Sequence, residues 1–376
     1  MQRETMRTWA EVNLSALAHN FQLAKKWTGK KVMCVIKGDA HGHGAVACGK
    51  ALEDQGADAF AVACLEEGIT LRNAGIRLPI LVLGWTPAEF VPELVQYDLE
   101  QSVLDEEYAM SLSREAKALE KTLRVHIKLD TGMSRTGIYA QRDPMEAARC
   151  VCRIAALPGL DTVGIFTHFA AADVPQKDSY THWQMDQFKS VLDAMSALGF
   201  EKELIRHAGN SATILYHPDG YFDMVRLGVM MYGLYPDGNY QTDGPLRPIL
   251  TLKSRVAQIK ELPAGSCISY GCTAQTSRDT KVAVVAAGYA DAYPRGLSNT
   301  GAYAVIHGVK CPQIGRVCMD MCMFDITDAQ VAIDRGDEVI LYGNGGMPME
   351  EVAALADTIN CAPLSVLTAR VKKIYR

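Results

Sequence analysis

The sequence lacks any apolar run long enough to cross a membrane or to form the core of a secretory signal, so we expect a cytoplasmic protein. It also lacks an excess of positive charge: 38 Lys and Arg face 43 Asp and Glu, for a net charge of −5. That balance gives no electrostatic basis for binding nucleic acid or an anionic membrane. The eleven cysteines show no paired framework and no zinc-ligand spacing, so we expect no metal and only reduced, unpaired thiols.

The chain nevertheless has the composition of a globular protein with a large core. It has 376 residues, of which 48% are hydrophobic and 22% charged, and this length predicts more than one domain. Eight short β-rich runs alternate with helix-like stretches between residues 31 and 233. They read KVMCVIK, AFAVAC, PILVLG, LEQSVLD, RVHIKLD, TVGIFTH, ELIRHAG and MVRLGVMMYG. This alternation predicts an α/β fold, a (β/α)8 barrel of the TIM type, over residues 10–240.

The pattern changes after the Pro-, Gly- and Asp-rich connector LYPDGNYQTDGPLRP. In ILTLKSRVAQ apolar residues alternate with polar ones, and further short strands follow between turns. One late helix is predicted in MEEVAALADTI, with Ile359 on its apolar face. We therefore expect a mostly β domain over residues 241–376, and we expect residues 1–9 to pack with it.

A lysine ends the first predicted strand, and a glycine-rich turn with two histidines follows in CVIKGDAHGHG. At the C-terminal end of a barrel strand, Lys37 would point into the mouth where barrel enzymes have their active sites. Desolvation there would lower its pKa and favour Schiff-base chemistry. The alternative is a solvated lysine at a strand end. His41 and His43 have a spacing that some metal sites use, but their position in a glycine-rich turn argues against a metal.

This stretch resembles the cofactor-lysine motif of the alanine racemases, pyridoxal 5'-phosphate (PLP) enzymes that usually read K-A-N-A-Y-G-H-G. Seven further blocks resemble the family in the same order: HIKLDTGMSRTGI, FTHFAAAD, AGNSA, VRLGVMMYG, ISYGCTA, GYADAYPR and GRVCMDM. Each block alone is weak evidence for the family, whereas eight blocks in the same order across both domains are specific evidence for it. The resemblance implies a PLP-binding barrel followed by a β domain, a small amino-acid substrate, and a homodimer whose active sites are shared between subunits.

The resemblance also implies a two-base mechanism that interconverts L- and D-alanine. Lys37 would hold PLP and act as one base, and Tyr270 would act on the opposite face from the partner subunit. The alternative for Tyr270 is an ordinary tyrosine of the β domain. Arg226 matches the residue that faces the pyridine nitrogen, because a guanidinium donates a hydrogen bond without giving up its proton. His168 resembles the histidine beside that arginine.

The remaining matches are assigned by resemblance alone. Lys128 corresponds to a lysine that is often carbamylated in the family, which would turn a cation into an anion able to orient Arg135; the alternative is an unmodified strand-end lysine. Cofactor binding is assigned to Asn210, phosphate binding to Ser211, Gly228 and Val229, contact with the substrate carboxylate to Arg135, Met319 and Asp320, and the access corridor to Tyr289 and Asp173.

Three positions depart from the family pattern. His41 replaces a tyrosine near the phosphate, where it can still donate a hydrogen bond. Cys361, in TINCAP, replaces the tyrosine of T-I-N-Y-E, which touches phosphate and substrate in the family; cysteine is smaller and a weak donor, so it should widen the pocket and loosen the cofactor. Ala292, in GYADAYPR, replaces a glycine, and we expect little effect unless the backbone there has a positive φ.

The wider pocket leaves serine open as a competing substrate, because the serine racemases of glycopeptide resistance also carry a smaller residue at that tyrosine. Two further alternatives are a PLP-dependent decarboxylase of basic amino acids, which shares the two-domain plan, and a PLP-carrier protein, which has only the barrel. The SYG and GYADAYPR blocks favour a racemase over a decarboxylase, and the β domain with Tyr270 argues against a carrier. The usual role of the family is the supply of D-alanine for the cell wall.

Overall fold

The computed structural model describes residues 6–239 and 244–376. They divide into two compact units. One comprises Phe21–Ala40 and Ala45–Gly228, and the other comprises the described residues of Met1–Asn20, His41–Gly44 and Val229–Arg376. The sequence-based boundary between residues 240 and 241 lies outside the described residues, as do residues 1–5.

The first unit contains a closed barrel of eight parallel strands, which confirms the predicted fold class. The strands are Lys31–Val35, Ala59–Val62, Ile80–Val82, Glu100–Val103, Leu123–Asp130, Leu160–Phe166, Ile205–His207 and Met224–Leu227. The last strand pairs with the first, which closes the barrel, and the short strand Ile138–Tyr139 pairs beside Leu123–Asp130. The α-helices before and between these strands are Leu14–Thr28, Ala45–Asp54, Leu65–Asn73, Val91–Gln96, Glu106–Ala118, Pro144–Ala155, Asp178–Ala197 and Ser211–Tyr216.

Alternating side chains of the strands fill the barrel interior. Met33, Ala59, Ala61, Leu81 and Met224 form one buried apolar cluster there. Because side chains alternate across a strand, the residues two positions further along point the same way. Arg226, two positions after Met224, therefore points the same way and lies nearer the carboxyl ends of the strands, where barrel enzymes have their active sites.

The second unit is built on an eight-stranded sheet. Its strands are Thr8–Val12, Leu250–Leu262, Thr280–Val285, Tyr303–Ile306, Val309–Pro312, Cys322–Asp325, Glu338–Gly343 and Lys372–Tyr375. The long strand Leu250–Leu262 is central, because it pairs with Thr8–Val12, Thr280–Val285 and Glu338–Gly343. A separate hairpin pairs Cys267–Ile268 with Ala274–Gln275.

One detail of this unit corrects a sequence-based expectation, and a second settles the condition that was attached to Ala292. The late helix spans only Met349–Leu355, because Asp357 has a φ of 53° that helical geometry does not allow, and Ile359 is 66% exposed instead of packed. Ala292 has a φ of 64° and is buried, so it occupies the left-handed conformation that favours the family's glycine. No helix within residues 6–239 and 244–376 has the length and apolarity needed to span a membrane.

Candidate active site

Lys37 lies just past the carboxyl end of the first barrel strand, as expected from the sequence. Its side chain is half-buried, and its amine has no hydrogen-bond or ion-pair partner among the described residues. Two hydrogen bonds fix the backbone that follows it: Gly38 N–H donates to Glu67 Oε1 at 2.6 Å, and Ala45 N–H donates to Asp39 Oδ1 at 2.7 Å. The backbone beside the lysine is thus fixed, while its side-chain amine remains available to react with a ligand.

A turn of left-handed helix follows this lysine. Gly38, Asp39, Ala40 and His41 have φ values of 62°, 52°, 55° and 52°. Three of these residues are not glycine, and each left-handed non-glycine residue costs about 1 kcal/mol or more. Asp and His are among the side chains that tolerate the conformation best, whereas alanine is not.

The guanidinium of Arg226 is buried and almost completely hydrogen-bonded. NH1 donates to His207 O at 2.9 Å and lies 3.2 Å from His207 Nδ1. NH2 donates to Thr167 O at 2.8 Å and Ala208 O at 2.9 Å, and lies 3.0 Å from His168 Nδ1. Within the described part of the chain, Nε–H is the only N–H group of this guanidinium without an acceptor.

A chain of buried hydrogen bonds runs from Arg226 to a carboxylate on another barrel strand. His207 Nε2 lies 2.9 Å from His126 Nδ1, and His126 Nε2 lies 3.0 Å from Glu100 Oε2. A guanidinium only donates, so His207 Nδ1 accepts from it and the ring carries its proton on Nε2. The same reasoning places the proton of His126 on Nε2. Both rings are therefore neutral, and every bond donates toward Glu100.

The charges at the two ends of this relay (Arg226, His207, His126, Glu100) follow from their surroundings. Burial holds the pKa of His207 well below its usual value, which agrees with a neutral ring. Burial by itself would raise the pKa of Glu100, but the hydrogen bond from His126 and the nearby Arg124 outweigh it and lower the pKa. Burial and the charge of Arg135 lower the pKa of Arg226 to about 9, so the guanidinium is still a cation at neutral pH.

A group of cations surrounds the same end of the barrel. Burial, followed by the charges of Arg135 and Arg226, lowers the pKa of Lys128 to about 8, and Lys37 acts in the same direction. Among the charged neighbours that shift the pKa of Lys128 in the described part of the chain, only Asp130 is an anion. This concentration of positive charge favours an anionic ligand.

The structure brings His168, Lys128 and Arg135 into this group, although their contacts differ. Burial and the charge of Arg226 hold the pKa of His168 well below its usual value, so its ring is neutral. Lys128 Nζ donates to Thr136 Oγ1 at 2.5 Å. Arg135 is exposed and makes no hydrogen bond or ion pair among the described residues. It is therefore free to reorient toward a ligand.

The predicted phosphate-side residues of the barrel lie at the start of a short helix. Asn210 caps that helix, because its Oδ1 accepts from the Thr213 backbone N–H at 3.0 Å. Gly228 N–H donates to the buried Ser211 Oγ at 3.0 Å, so these two residues lie together. Val229 follows Gly228 in the chain and belongs to the second unit.

The two positions where the family has tyrosines lie in the second unit. The rings of His41 and His43 pack against Tyr232, with centroids 5.0 Å and 4.4 Å away. A Cβ on Gly42 would overlap the carbonyl oxygen of Leu364, so the turn lies against the short helix that follows Cys361. The glycine-rich turn and the Cys361 segment are thus neighbours.

Tyr270 lies at the tip of the hairpin Cys267–Ile268 and Ala274–Gln275 and is 69% exposed. Ser269, just before it, has φ 65° and ψ −170°, a conformation that is almost restricted to glycine. A disulfide joins Cys267 to Cys272 across the tip, with a Cα–Cα distance of 4.9 Å. The expectation that all cysteines are unpaired is therefore wrong, because the turn brings two cysteines together that sequence spacing alone did not pair.

Met319 and Asp320 line the same surface pocket as Tyr270, with a volume of about 470 Å³. Tyr289 N–H donates to the Cys318 carbonyl at 3.0 Å, which places the predicted corridor residue beside them. Asp320 Oδ1 accepts from Arg370 NH2 at 2.5 Å, so its carboxylate is already engaged. Asp173 lies in a loop of the first unit.

Sequence reasoning missed Glu100, His126 and His207, which contact Arg226 directly or through one another. A signal was present, because Arg124, His126, Lys128 and Asp130 occupy every second position of a strand whose other residues are apolar. In a barrel strand this pattern indicates polar groups directed to the interior.

The barrel, its strand-end lysine and the attached β unit define the class of two-domain barrel enzymes, a class that the decarboxylase alternative shares. The models of the alanine racemase N-terminal domain and the alanine racemase C-terminal domain match residues 12–236 and 249–375. The chain is 42% identical over 379 residues to the alanine racemase of Halothermothrix orenii, covering 100% of this chain and 98% of that one. The chain therefore belongs to the alanine racemase family.

Solved structures agree with this assignment. The alanine racemase of Clostridium difficile 630 superposes with a TM-score of 0.92 at 38% identity, covering 99% of this chain and 96% of that one. The alanine racemase of Bartonella henselae with covalently bound pyridoxal phosphate superposes with a TM-score of 0.88 at 26% identity, covering 99% and 100%. These matches support the alanine reading and not the serine racemase, decarboxylase or carrier alternatives.

Proposed function

We propose that this protein is a PLP-dependent racemase that interconverts L- and D-alanine, with Lys37 and Tyr270 as its two bases. Membership of the family and the names of its relatives support the reaction and the substrate. The observation that carries the proposal is the guanidinium of Arg226, whose terminal N–H groups are all taken while Nε–H is left for a ligand.

The residues present fit PLP. Arg226 Nε–H suits a pyridine nitrogen, which is an acceptor, and the free amine of Lys37 suits a covalent link to an aldehyde. Ser211 and Gly228 would hold the phosphate, and the surrounding cations suit its negative charge. When bound, PLP supplies the electron delocalisation that makes the substrate α-proton acidic enough to remove.

Arg226 would set the character of that delocalisation. Its pKa of about 9 keeps it charged at neutral pH, and its NH1 group is hydrogen-bonded to the relay that leads to Glu100, not to the ligand. It would therefore donate a hydrogen bond to the pyridine nitrogen without transferring a proton. A ring nitrogen without a proton makes PLP a weaker electron sink than a protonated one. A weaker sink favours simple proton return over side reactions such as transamination.

Lys37 and Tyr270 would move the proton. A racemase needs one base on each face of the substrate, and each must donate or accept according to the direction of reaction. We propose that Tyr270, Met319 and Asp320 act on the partner subunit of a homodimer. The exposure of Tyr270 at a hairpin tip supports this part of the proposal, because an exposed tip can enter a neighbouring subunit.

Lys128 would carry a carbamate that orients Arg135. Its pKa of about 8 leaves a substantial neutral fraction near neutral pH, and only the neutral amine combines with CO2. The modification would replace a cation beside Arg135 with an anion. We propose that Arg135 then binds the substrate carboxylate, that His41 and Cys361 lie near phosphate and substrate, and that Tyr289 and Asp173 line the access corridor of a cytoplasmic enzyme.

The test is a racemization assay on PLP-loaded protein, with chiral separation of alanine from both directions. Lys37→Ala should lose both the covalent cofactor, measured by mass spectrometry after borohydride reduction, and turnover. Tyr270→Phe should keep the cofactor but lose about 100-fold or more in kcat, the usual contribution of a general base. Tyr303→Phe is the matched control and should behave like wild type.

Three results would contradict the proposal. Absence of PLP from the wild type would refute the proposed cofactor. Equal activity of Tyr270→Phe and Tyr303→Phe would refute the role of Tyr270 as the second base. Faster turnover of L-serine than of L-alanine would remove alanine as the substrate.

A further inference from the structure

The hairpin that carries Tyr270 is closed by the chain's only disulfide within residues 6–239 and 244–376. Cys267 and Cys272 enclose Tyr270 in a ring of six residues, with a Cα–Cα distance of 4.9 Å. The hairpin strands are only two residues long each, so few backbone hydrogen bonds hold the tip. The covalent link is therefore a major constraint on the position of Tyr270.

The backbone inside the ring needs such a constraint. Ser269, Gly271 and Cys272 have φ values of 65°, 74° and 48°, and two of these three residues are not glycine. Conformations of this kind persist only where the surroundings hold them, and they cluster at functional sites. Ser269 Oγ donates to Arg316 O at 2.6 Å, which anchors one side of the tip. The Tyr270 hydroxyl has no hydrogen bond among the described residues.

In the single subunit the disulfide is also exposed, so a small thiol can reach it whenever the hairpin tip is not inside a partner. Both of its cysteines are exposed, whereas Cys34, Cys311 and Cys322 are buried and not part of a disulfide. Exposed disulfides are the labile and regulatory ones, because an attacking thiolate can reach a sulfur. The Gln275 side-chain amide lies 3.6 Å from each of the two sulfurs and can donate to a thiolate that forms there.

We propose that Cys267 and Cys272 form a reversible thiol–disulfide site that controls the position of Tyr270, and hence the turnover of the enzyme. The reactant is a low-molecular-weight thiol or its disulfide. On reduction the protein S–S bond breaks, an S–S bond forms between two molecules of the small thiol, and their two protons pass to Cys267 and Cys272. The oxidised form holds Tyr270 for proton transfer, and the reduced form lets the tip relax.

This inference rests on the proposed role of Tyr270 as a base, so its test needs a readout that does not depend on racemization. Purified holoenzyme is equilibrated with dithiothreitol or with glutathione disulfide, and the link is mapped by peptide mass spectrometry. Amide hydrogen exchange of residues 269–271 is then measured in both forms, together with kcat and KM for alanine.

The reduced wild type is expected to show faster exchange at residues 269–271 and a severalfold lower kcat, with KM changed less. The double variant Cys267→Ser and Cys272→Ser should show the exchange rate and kcat of the reduced wild type, and neither value should change with the redox buffer. Cys152→Ser, which removes a half-buried thiol on a barrel helix, should respond like wild type.

Two results overturn the inference: no Cys267–Cys272 link in the oxidised protein, or a single exchange rate and a single kcat for oxidised, reduced and doubly substituted protein. Absence of alanine racemization in every form is instead a failure of the proposed function. In that case the exchange rates of residues 269–271 alone decide whether the redox site controls the tip.

Discussion

Replacing Glu100 with glutamine tests the relay that ends at Arg226. Glu100→Gln keeps the shape of the side chain but removes the charge that His126 donates to, at 3.0 Å, and that Arg124 faces, at 3.5 Å. A hydrogen bond to a charged group contributes about 2 kcal/mol and a neutral one about 1 kcal/mol. The Arg124 pair, with its partly exposed guanidinium, adds about 0.5 kcal/mol. We therefore expect the free energy of unfolding to fall by about 1.5 kcal/mol at neutral pH.

The pH dependence gives a second, independent signature. The pKa of Glu100 is lowered from its ordinary value of 4.5 in the folded protein. Its stabilisation is therefore fully present above pH 4.5 and is lost as the pH falls through the lowered, folded value. The difference between wild type and variant should shrink toward zero in acid.

Urea titration at neutral and acidic pH measures this difference, and hydrogen exchange of the strand Leu123–Asp130 assigns it to the barrel. Glu146→Gln is the matched control, because its carboxylate also pairs with arginine but is 53% exposed. That control should change stability by no more than about 0.5 kcal/mol. Equal losses in the two variants, or a Glu100→Gln loss that persists unchanged in acid, would refute the charge assignment of the relay.

Three further substitutions test the backbone and the cation group. Ala292→Gly should raise the free energy of unfolding by about 1 kcal/mol in urea titration, because it relieves a left-handed alanine; a loss would contradict this. Gly42→Ala should lower the free energy of unfolding by about 3 kcal/mol, because the new Cβ would overlap Leu364 and the residue has a positive φ. Gly29→Ala, whose Cβ would meet no neighbour, should lower it by about 1 kcal/mol, and similar losses in the two variants would contradict the overlap. In CO2-free buffer, where Lys128 is an unmodified amine, the stability of the wild type should rise from about pH 8 to 10.5, because the unfolded chain binds the proton more tightly there. Lys128→Met should abolish this rise, and equal slopes for the two proteins would contradict the lowered pKa.

The barrel was predictable because each strand is a short apolar run with a helix after it. A strand buried on both faces needs such a run, and eight of them in alternation suffice to predict closure. The end of the late helix was not predictable in the same way. Nothing in MEEVAALADTI requires the left-handed residue at Asp357 that stops the helix before Ile359.

The candidate site was predictable only where one short motif holds the residue. Lys37 and Arg226 each lie in a recognisable block, and the structure gives both a suitable environment. The relay joins Glu100, His126 and His207 from three strands, and their distances depend on strand pairing around the whole barrel. Pairing of that kind is a property of the closed fold, not of any local segment.

The same limit applies to the cysteines. Cys267 and Cys272 have four residues between them, and the direction of each side chain depends on the turn. The positive φ values at Ser269 and Gly271 bring the two Cα atoms within reach. Neither value follows from composition or periodicity.

The left-handed turn at residues 38–41 also limits how this protein can change. β-branched side chains are disfavoured at positive φ, so random mutagenesis there would yield mostly unstable proteins. A library aimed at cofactor or substrate preference would therefore vary Asp39, Ala40 and His41 only among glycine, asparagine, aspartate and histidine. Ala40 is fully buried, so glycine is the conservative first choice at that position, because it keeps the turn without adding a buried polar group.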